Sequence, residues 1–478
     1  MAPFSHQQTW RHTLIAGFAV LLLAWVIGAF GSSTIEYRRQ GAAGLALLAI
    51  LAVPFLPKHH RFPVIPIWTW VSLAFLILWS SFMAWNAHSE HNREIWVFTD
   101  FLHRPFPKAP GAVAYGDTQY FTFETIAIAL GLIAAARCTE SKSWIILLQI
   151  FAVAGLIVTF IALGHKILGM KTVWGMTATP EQVEQGIKII HPETYFAPFI
   201  YNANAAAFLN LIFPVSLALA LRAWKRKQKT PVIFFWVLAG FITVAGVIAA
   251  ASKGGFLILL FCLTLWVLLE RKSLALLLKK MRSGKKSGLE NQLGIFLGGV
   301  IILGFIAMGT RHLFARWGTL AETLAANEQS GTVHSRIEMM KKMLHMASPS
   351  EGSWHGFGPG SFPHLLPYYN PENNPALREA LHRGHCDPLQ TIVEWGYLGF
   401  FAWLSLGVGA VIAAFIMIRK SSISAANMPL VKALFIGLLG VGAHSCFDFP
   451  LSIFSIHLVA IIYCGILFSL RKQTSLLT

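Results

Sequence analysis

Apolar residues in this chain come in long unbroken stretches, not in the alternating pattern of half-buried strands or the one-sided stripe of soluble helices. Twelve stretches are long or apolar enough to be read as membrane-spanning helices. They run Leu14–Phe30, Ala42–Phe55, Val64–Trp85, Phe121–Ala136, Trp144–Leu163 and Ala205–Leu221, then Val232–Ala251, Gly255–Leu269, Leu293–Met308, Leu398–Ile418, Leu430–Ser445 and Ile453–Leu470. A helix needs about 20 residues to cross a ~30 Å hydrocarbon core, so the shorter runs are expected to extend at their ends. Arg38 and Arg39 stand just ahead of the second run and make it the least regular of the set. Three connections exceed the usual few residues: Asn86–Tyr120, Gly164–Asn204 and Gly309–Gly396. Long connections are commonly functional. Inside the third, His334–Met346 has the spacing of a short amphipathic helix, with Ile337, Met340 and Leu344 on one face.

Composition supports this reading. Of 478 residues, 55% are apolar and only 12% charged, about half of the roughly 25% usual in soluble domains. Too few charges are present to cover two or three soluble globules. One transmembrane domain over residues 1–478 is therefore expected, and a disordered chain, collagen or a disulfide-stapled module is excluded. The net charge of +17 is not spread evenly. With the twelve spans in place, one side carries 22 Lys/Arg against 3 Asp/Glu and the other 16 against 18. That asymmetry places the basic side in the cytoplasm and is no nucleic-acid footprint. An even number of spans then puts both termini there, with the 309–396 connection between spans nine and ten on the outer side. The expectation is an all-α polytopic membrane protein of about twelve transmembrane helices with a long, partly helical outer loop.

The outer side carries the candidate chemistry. No P-loop, dinucleotide fingerprint, CxxC or HExxH occurs. Trp354-His355-Gly356-Phe357-Gly358-Pro359-Gly360 has glycine at alternate positions, a pattern that either presents N–H groups to a phosphate or simply turns the chain. Downstream, Arg383-Gly384-His385-Cys386-Asp387 leads into Glu394 and a span. A histidine there can serve as general base near neutral pH, with Asp387 and Glu394 to support it. Arg336, and Lys253 in the turn Ser252-Lys253-Gly254-Gly255, supply cations suited to a diphosphate. His334, His345, His355, His364, His382 and His385 fall in the long loop, but no thiolate pair accompanies them, so neither metal nor cofactor is expected. Cys386 and Cys446 lie on the same predicted side, which leaves a disulfide between them open.

From the Ser252 turn onward the sequence resembles the O-antigen ligase and polymerase superfamily of bacterial inner-membrane glycosyltransferases. The residues that carry the resemblance are Ser335-Arg336, the loop of Gly356, Gly358 and Gly360 ending in Phe362, His385, Leu389-Gln390, Glu394 and Gly396-Tyr397-Leu398-Gly399. His385, Cys386, nine residues, Gly396, two residues and Gly399 fit the spacing of that family's ligation motif. Asn202-Ala203-Asn204, His444-Ser445 and Asp448-Phe449-Pro450 are similar to further family segments. Two positions depart from the pattern: Cys386 stands where a small polar side chain is usual, and Lys253 where arginine is usual.

The resemblance implies a metal-independent, inverting transfer of a glycan from an undecaprenyl-diphosphate carrier at the periplasmic face of the inner membrane. The acceptor hydroxyl would belong to lipid A-core or to a growing polysaccharide. It implies His385 as the base and Arg336 as the principal diphosphate ligand, with Lys253, Arg383 and the three loop glycines as further binding groups. The alternative from the span count alone is a twelve-span transporter or flippase for a polysaccharide precursor. Against it, the long loop does not divide the chain into two six-span halves.

Overall fold

The structure is a computed structural model that describes residues 17, 19–29, 35–52, 65–92, 97–139, 143–168, 170, 196–282, 332–348, 354–370 and 383–475. Among these it is an all-α polytopic membrane protein of thirteen helices. In chain order they are α1 (Ala19–Gly28), α2 (Ile35–Ala52), α3 (Ile67–Trp85), α4 (Tyr115–Cys138), α5 (Ser143–Ile167), α6 (Asn202–Lys225) and α7 (Thr230–Ala249). They continue as α8 (Lys253–Arg282), α9 (Thr332–Met346), α10 (Phe362–Leu365), α11 (Asp387–Lys420), α12 (Met428–Ser445) and α13 (Phe454–Ser475). Nine of them, α3 to α8 and α11 to α13, are long and apolar enough to cross a membrane. The one strand pair among the described residues is a small antiparallel hairpin, β1 (Ser89–Asn92) with β2 (Val97–Asp100), in which Ser89 pairs with Asp100.

The predicted runs and the observed helices agree in position more than in length. Seven of the nine spanning helices are longer than the apolar runs, because residues beyond the runs extend them at one or both ends, whereas α3 is shorter than its run and α7 is of equal length but displaced by two residues. The run predicted at Leu14–Phe30 appears as the ten-residue α1. That predicted at Ala42–Phe55 begins earlier, at Ile35. Arg38 is accommodated inside it by a two-pronged pairing with Glu124 of α4, at 2.5 and 2.6 Å. The predicted span Leu293–Met308 lies outside the described residues.

Helix α6 forms the centre, packed by α5, α7, α8 and α12. Its Ala-rich sequence allows close approach on every side, as small residues do in membrane bundles. Two of its three buried asparagines find backbone acceptors: Asn202 Nδ2 donates to Ala250 O at 2.9 Å and Asn210 Nδ2 to Gly255 O at 2.8 Å. Helix α13, almost as deeply enclosed, packs against α4 and α11. Outward-facing side chains such as Ile67, Val71, Leu78, Leu257 and Phe261 are apolar and exposed, the arrangement lipid contact requires.

At one end of the bundle the connecting segments build a second, smaller core. The buried residues of α9 are Met339, Met343 and Met346, which pack with Phe362, Leu365, Leu366, Cys386, Ile392 and Val393. This corrects the amphipathic face read from the sequence: Ile337 and Leu344 are exposed and only Met340 is partly covered. Unbranched methionines fill an irregular space between short elements more readily than Ile or Leu.

Candidate active site

The first nine residues of α11 form a separate turn of structure. Gly396 has φ 71°, ψ 175°, so the helix breaks there, and its outer stretch, Asp387 to Trp395, is set off from the spanning part. The glycine-rich loop braces this break. Phe357 N donates to Val393 O at 2.9 Å and Gly358 N to Glu394 O at 3.0 Å, the carbonyls that the kink removes from the helical ladder. Gly360 N–H faces the Glu394 carboxylate. A Cβ on Gly356 would lie 2.4 Å from Gly396 N, and one on Gly396 the same distance from Trp354 O. Gly356, Gly358 and Gly360 all have positive φ. The N–H groups of Gly358 and Gly360 and the conformations of all three glycines therefore serve the turn and the kink.

The polar residues of the outer stretch also point inward. Asp387 accepts hydrogen bonds from Leu451 N and Ser452 Oγ, both at 2.8 Å, and its N–H donates to Asp448 O at 3.3 Å. Gln390 accepts from Gly384 N and donates to Glu394, at 3.0 and 2.9 Å. The segment 448–452 is in this way fastened to the start of α11, directly beside His385.

Three groups converge here. His385 Nδ1 lies 3.2 Å from Asp448 Oδ1, and Arg336 Nη2 lies 3.3 Å from Asp448 Oδ2. Arg336 also donates to Phe447 O at 3.1 Å and to Tyr201 Oη at 2.9 Å. The Asp448 side chain is 3% exposed, against 20% for His385 and 31% for Arg336. The carboxylate is thus the covered base of the site, and the two cationic or imidazole groups form its open rim. Burial alone would raise the Asp448 carboxyl, but the His385 hydrogen bond and the Arg336 charge outweigh it and hold it below the usual range. Burial acts on Arg336 in the downward direction, yet Tyr201 and Asp448 carry its pKa above the ordinary value. His385 adopts φ 50°, a left-handed conformation uncommon outside glycine. Its ring stands edge-on to Phe449, centroids 4.8 Å apart, and edge-on to Tyr201 at 6.3 Å, while Tyr201 and Phe449 stack on each other at 5.6 Å.

This geometry sets the proton positions. An ionised carboxylate only accepts, so Nδ1 of His385 carries the hydrogen, and whenever the ring is neutral Nε2 has the free lone pair. Nε2 has no hydrogen-bond partner among the described residues. Of the five guanidinium N–H groups of Arg336, three are committed in the bonds above. Two therefore remain to meet an anion.

Other residues singled out from the sequence fall around this centre or away from it. Lys253 opens α8, and Gly254 after it packs against the Phe447 ring. Arg383 lies two residues before His385. Burial, and then the charge of Arg38, push its pKa down to about 10, and its electrostatic surroundings are Arg38, Glu394, Asp387 and Glu124. Asp387 and Glu394 support the scaffold without touching His385's ring. Cys386 and Cys446 are both free, the first buried and the second exposed. Among the described residues no three His, Cys, Asp or Glu side chains are grouped to hold a metal ion. Sequence reasoning passed over two residues of the site itself, Asp448 and Tyr201. Asp448 had a signal in the segment Asp448-Phe449-Pro450; Tyr201 had none beyond its place before Asn202.

A search of curated proteins gives no match. Residues 238–404 match the family model described as O-antigen ligase. The matched stretch holds Lys253, Arg336, the glycine loop and His385, whereas Tyr201 and Asp448 lie outside it. With nine apolar spanning helices among the described residues and a His–Asp–Arg cluster at one end of them, this multi-pass membrane protein is similar to the O-antigen ligase family over residues 238–404.

Proposed function

We propose that this protein transfers a glycan from undecaprenyl diphosphate to an acceptor hydroxyl of lipid A-core or of a growing polysaccharide at the periplasmic face. The observation that carries the reading is the single Asp448 carboxylate held between His385 Nδ1 and Arg336 Nη2. Such an arrangement pairs a positioned base with a positioned cation, and glycan transfer from a diphosphate needs one of each.

In the proposed reaction, His385 Nε2 takes the proton of the acceptor hydroxyl while its oxygen attacks the anomeric carbon. The bond from that carbon to the diphosphate oxygen breaks, the electron pair leaves with undecaprenyl diphosphate, and the anomeric configuration inverts. Asp448 fixes the imidazole tautomer and stabilises the imidazolium that forms. Arg336 offers its two remaining N–H groups to the charge that develops on the departing diphosphate, a stabilisation greatest in the transition state. Lys253 is proposed to add a second cation for that charge. The proton on His385 then returns to solvent.

The test is turnover by purified protein of an undecaprenyl-diphosphate glycan with a lipid A-core or polysaccharide acceptor. Release of undecaprenyl diphosphate in step with glycosylated acceptor is expected. Transport of the intact lipid-linked glycan across a vesicle membrane without its cleavage would replace this reading by the carrier alternative.

A further inference from the structure

A second site lies at the opposite end of the bundle. Helix α13 begins beside the Asp448 segment, and at 1.5 Å per residue Arg471 stands roughly 25 Å further along it. There α3, α11 and α13 enclose a groove of about 430 Å³, lined by Trp68, Val408, Gly409, Ile412, Phe468 and Arg471 among others. Trp68 stands edge-on to Phe468 with centroids 5.2 Å apart. It reaches that position only because residue 409 is glycine: a Cβ there would come within 2.1 Å of the indole. Val408 and Ile412, on the α11 wall, keep about half their surface uncovered. Ser405, at the groove's inner limit, is bonded to Ser72 at 2.9 Å, so that end offers no spare polar group to a ligand.

We infer that this groove binds one acyl chain of an anionic phospholipid, with the phosphate on Arg471. Three observations point to that occupant. From Ser405 to Ile416 the wall is roughly 16 Å long, about half the ~30 Å hydrocarbon thickness and so the depth of one leaflet. Its lining is apolar apart from the bonded serine and the arginine. The Arg471 guanidinium has no hydrogen-bond or ion-pair partner among the described residues, while Lys472, Arg419 and Lys420 add positive charge at the same end. A polar or zwitterionic solute would satisfy the cation but not the apolar wall. An uncharged lipid would do the reverse. The site is independent of the transferase reading and uses none of its residues.

Native mass spectrometry of the full-length protein in detergent provides the test, with dioleoyl phosphatidylglycerol and dioleoyl phosphatidylcholine as probes. One phosphatidylglycerol should be retained with about fivefold preference, the amount one basic residue contributes at an anionic surface. Arg471→Gln should abolish the preference and leave weak binding of both lipids. Ile412→Trp, which fills the groove from its exposed wall without touching the core, should remove retention of both. Unchanged preference in Arg471→Gln, or unchanged retention in Ile412→Trp, would overturn the assignment. So would competition by millimolar inorganic phosphate, since that would make Arg471 a plain anion site.

Discussion

His385 and Arg336 hold the two oxygens of one carboxylate, that of Asp448, at 3.2 and 3.3 Å. Removing that shared charge while keeping its shape should therefore affect both. Asp448→Asn is expected to lower kcat by at least about 10²-fold, since the amide no longer fixes the Nδ1–H tautomer. Donor affinity should fall as well, because Arg336 loses its anchor. Steady-state kinetics and donor binding on the folded variant check this. A variant with wild-type kcat would remove Asp448 from the mechanism.

The two rim residues should separate in a kinetic comparison. His385→Ala should reduce turnover by ~10²–10⁴-fold with donor binding nearly intact, as expected for a general base. Arg336→Ala should weaken donor binding and slow the chemical step together. Arg336→Lys should restore only part, since an ammonium cannot hold Phe447 O, Tyr201 and Asp448 as well as a phosphate oxygen. Single-turnover rates would decide it; equal losses of thermal stability in all three variants would instead mark a structural role.

Acid should weaken the cluster in a defined direction. The Asp448 carboxyl is held below its usual range, so its unfolded form, near pKa 3.9, binds a proton first as pH falls. Its contribution to stability is complete above that value and disappears as pH drops through the folded-state pKa. Wild type should therefore lose more thermal midpoint than Asp448→Asn when taken from about pH 5 to pH 3. Identical losses would mean that the carboxyl is not depressed.

The two thiols near the site give a test of orientation. Burial pushes the Cys386 thiol pKa upward, whereas Cys446 is exposed. An impermeant maleimide should label Cys446 in intact spheroplasts and reach Cys386 only after denaturation. Labelling of Cys446 only after membrane lysis would reverse the proposed topology.

The kink should be intolerant of any side chain. Gly396→Ala meets both a positive φ and backbone atoms at 2.4 Å, and the left-handed conformation alone costs about 1–3 kcal/mol. Lowered thermal midpoint with lost activity is expected. A stable, active Gly396→Ala protein would show that the break in α11 is not required.

The spanning helices were legible because lipid demands long apolar stretches, and such stretches survive in sequence as simple runs. The outer part of α11 was not. Asp387, Gln390 and Glu394 have helical spacing but are polar, so they read as loop; in the structure they form the buried face, and their partners are backbone and side chains from distant segments. His385 and Arg336 could be named from residue type and a family resemblance. Their pairing through Asp448 could not, because Asp448 lies 63 positions from His385 and 112 from Arg336. Chemistry-bearing residues are visible singly in a sequence, whereas a shared counter-ion is a property of the packing.

The break at Gly396 has a mechanical consequence. Lipid-facing helices tilt to match the thickness of the surrounding bilayer, and a continuous α11 would carry that tilt straight to its first residues. Here the outer nine residues are bonded to the glycine loop and to segment 448–452 instead. The glycine therefore ends the straight helical line between the span and the stretch next to His385. What sets the bearing of that stretch is its bonding to the glycine loop and to segment 448–452, not the direction of the lipid-facing helix.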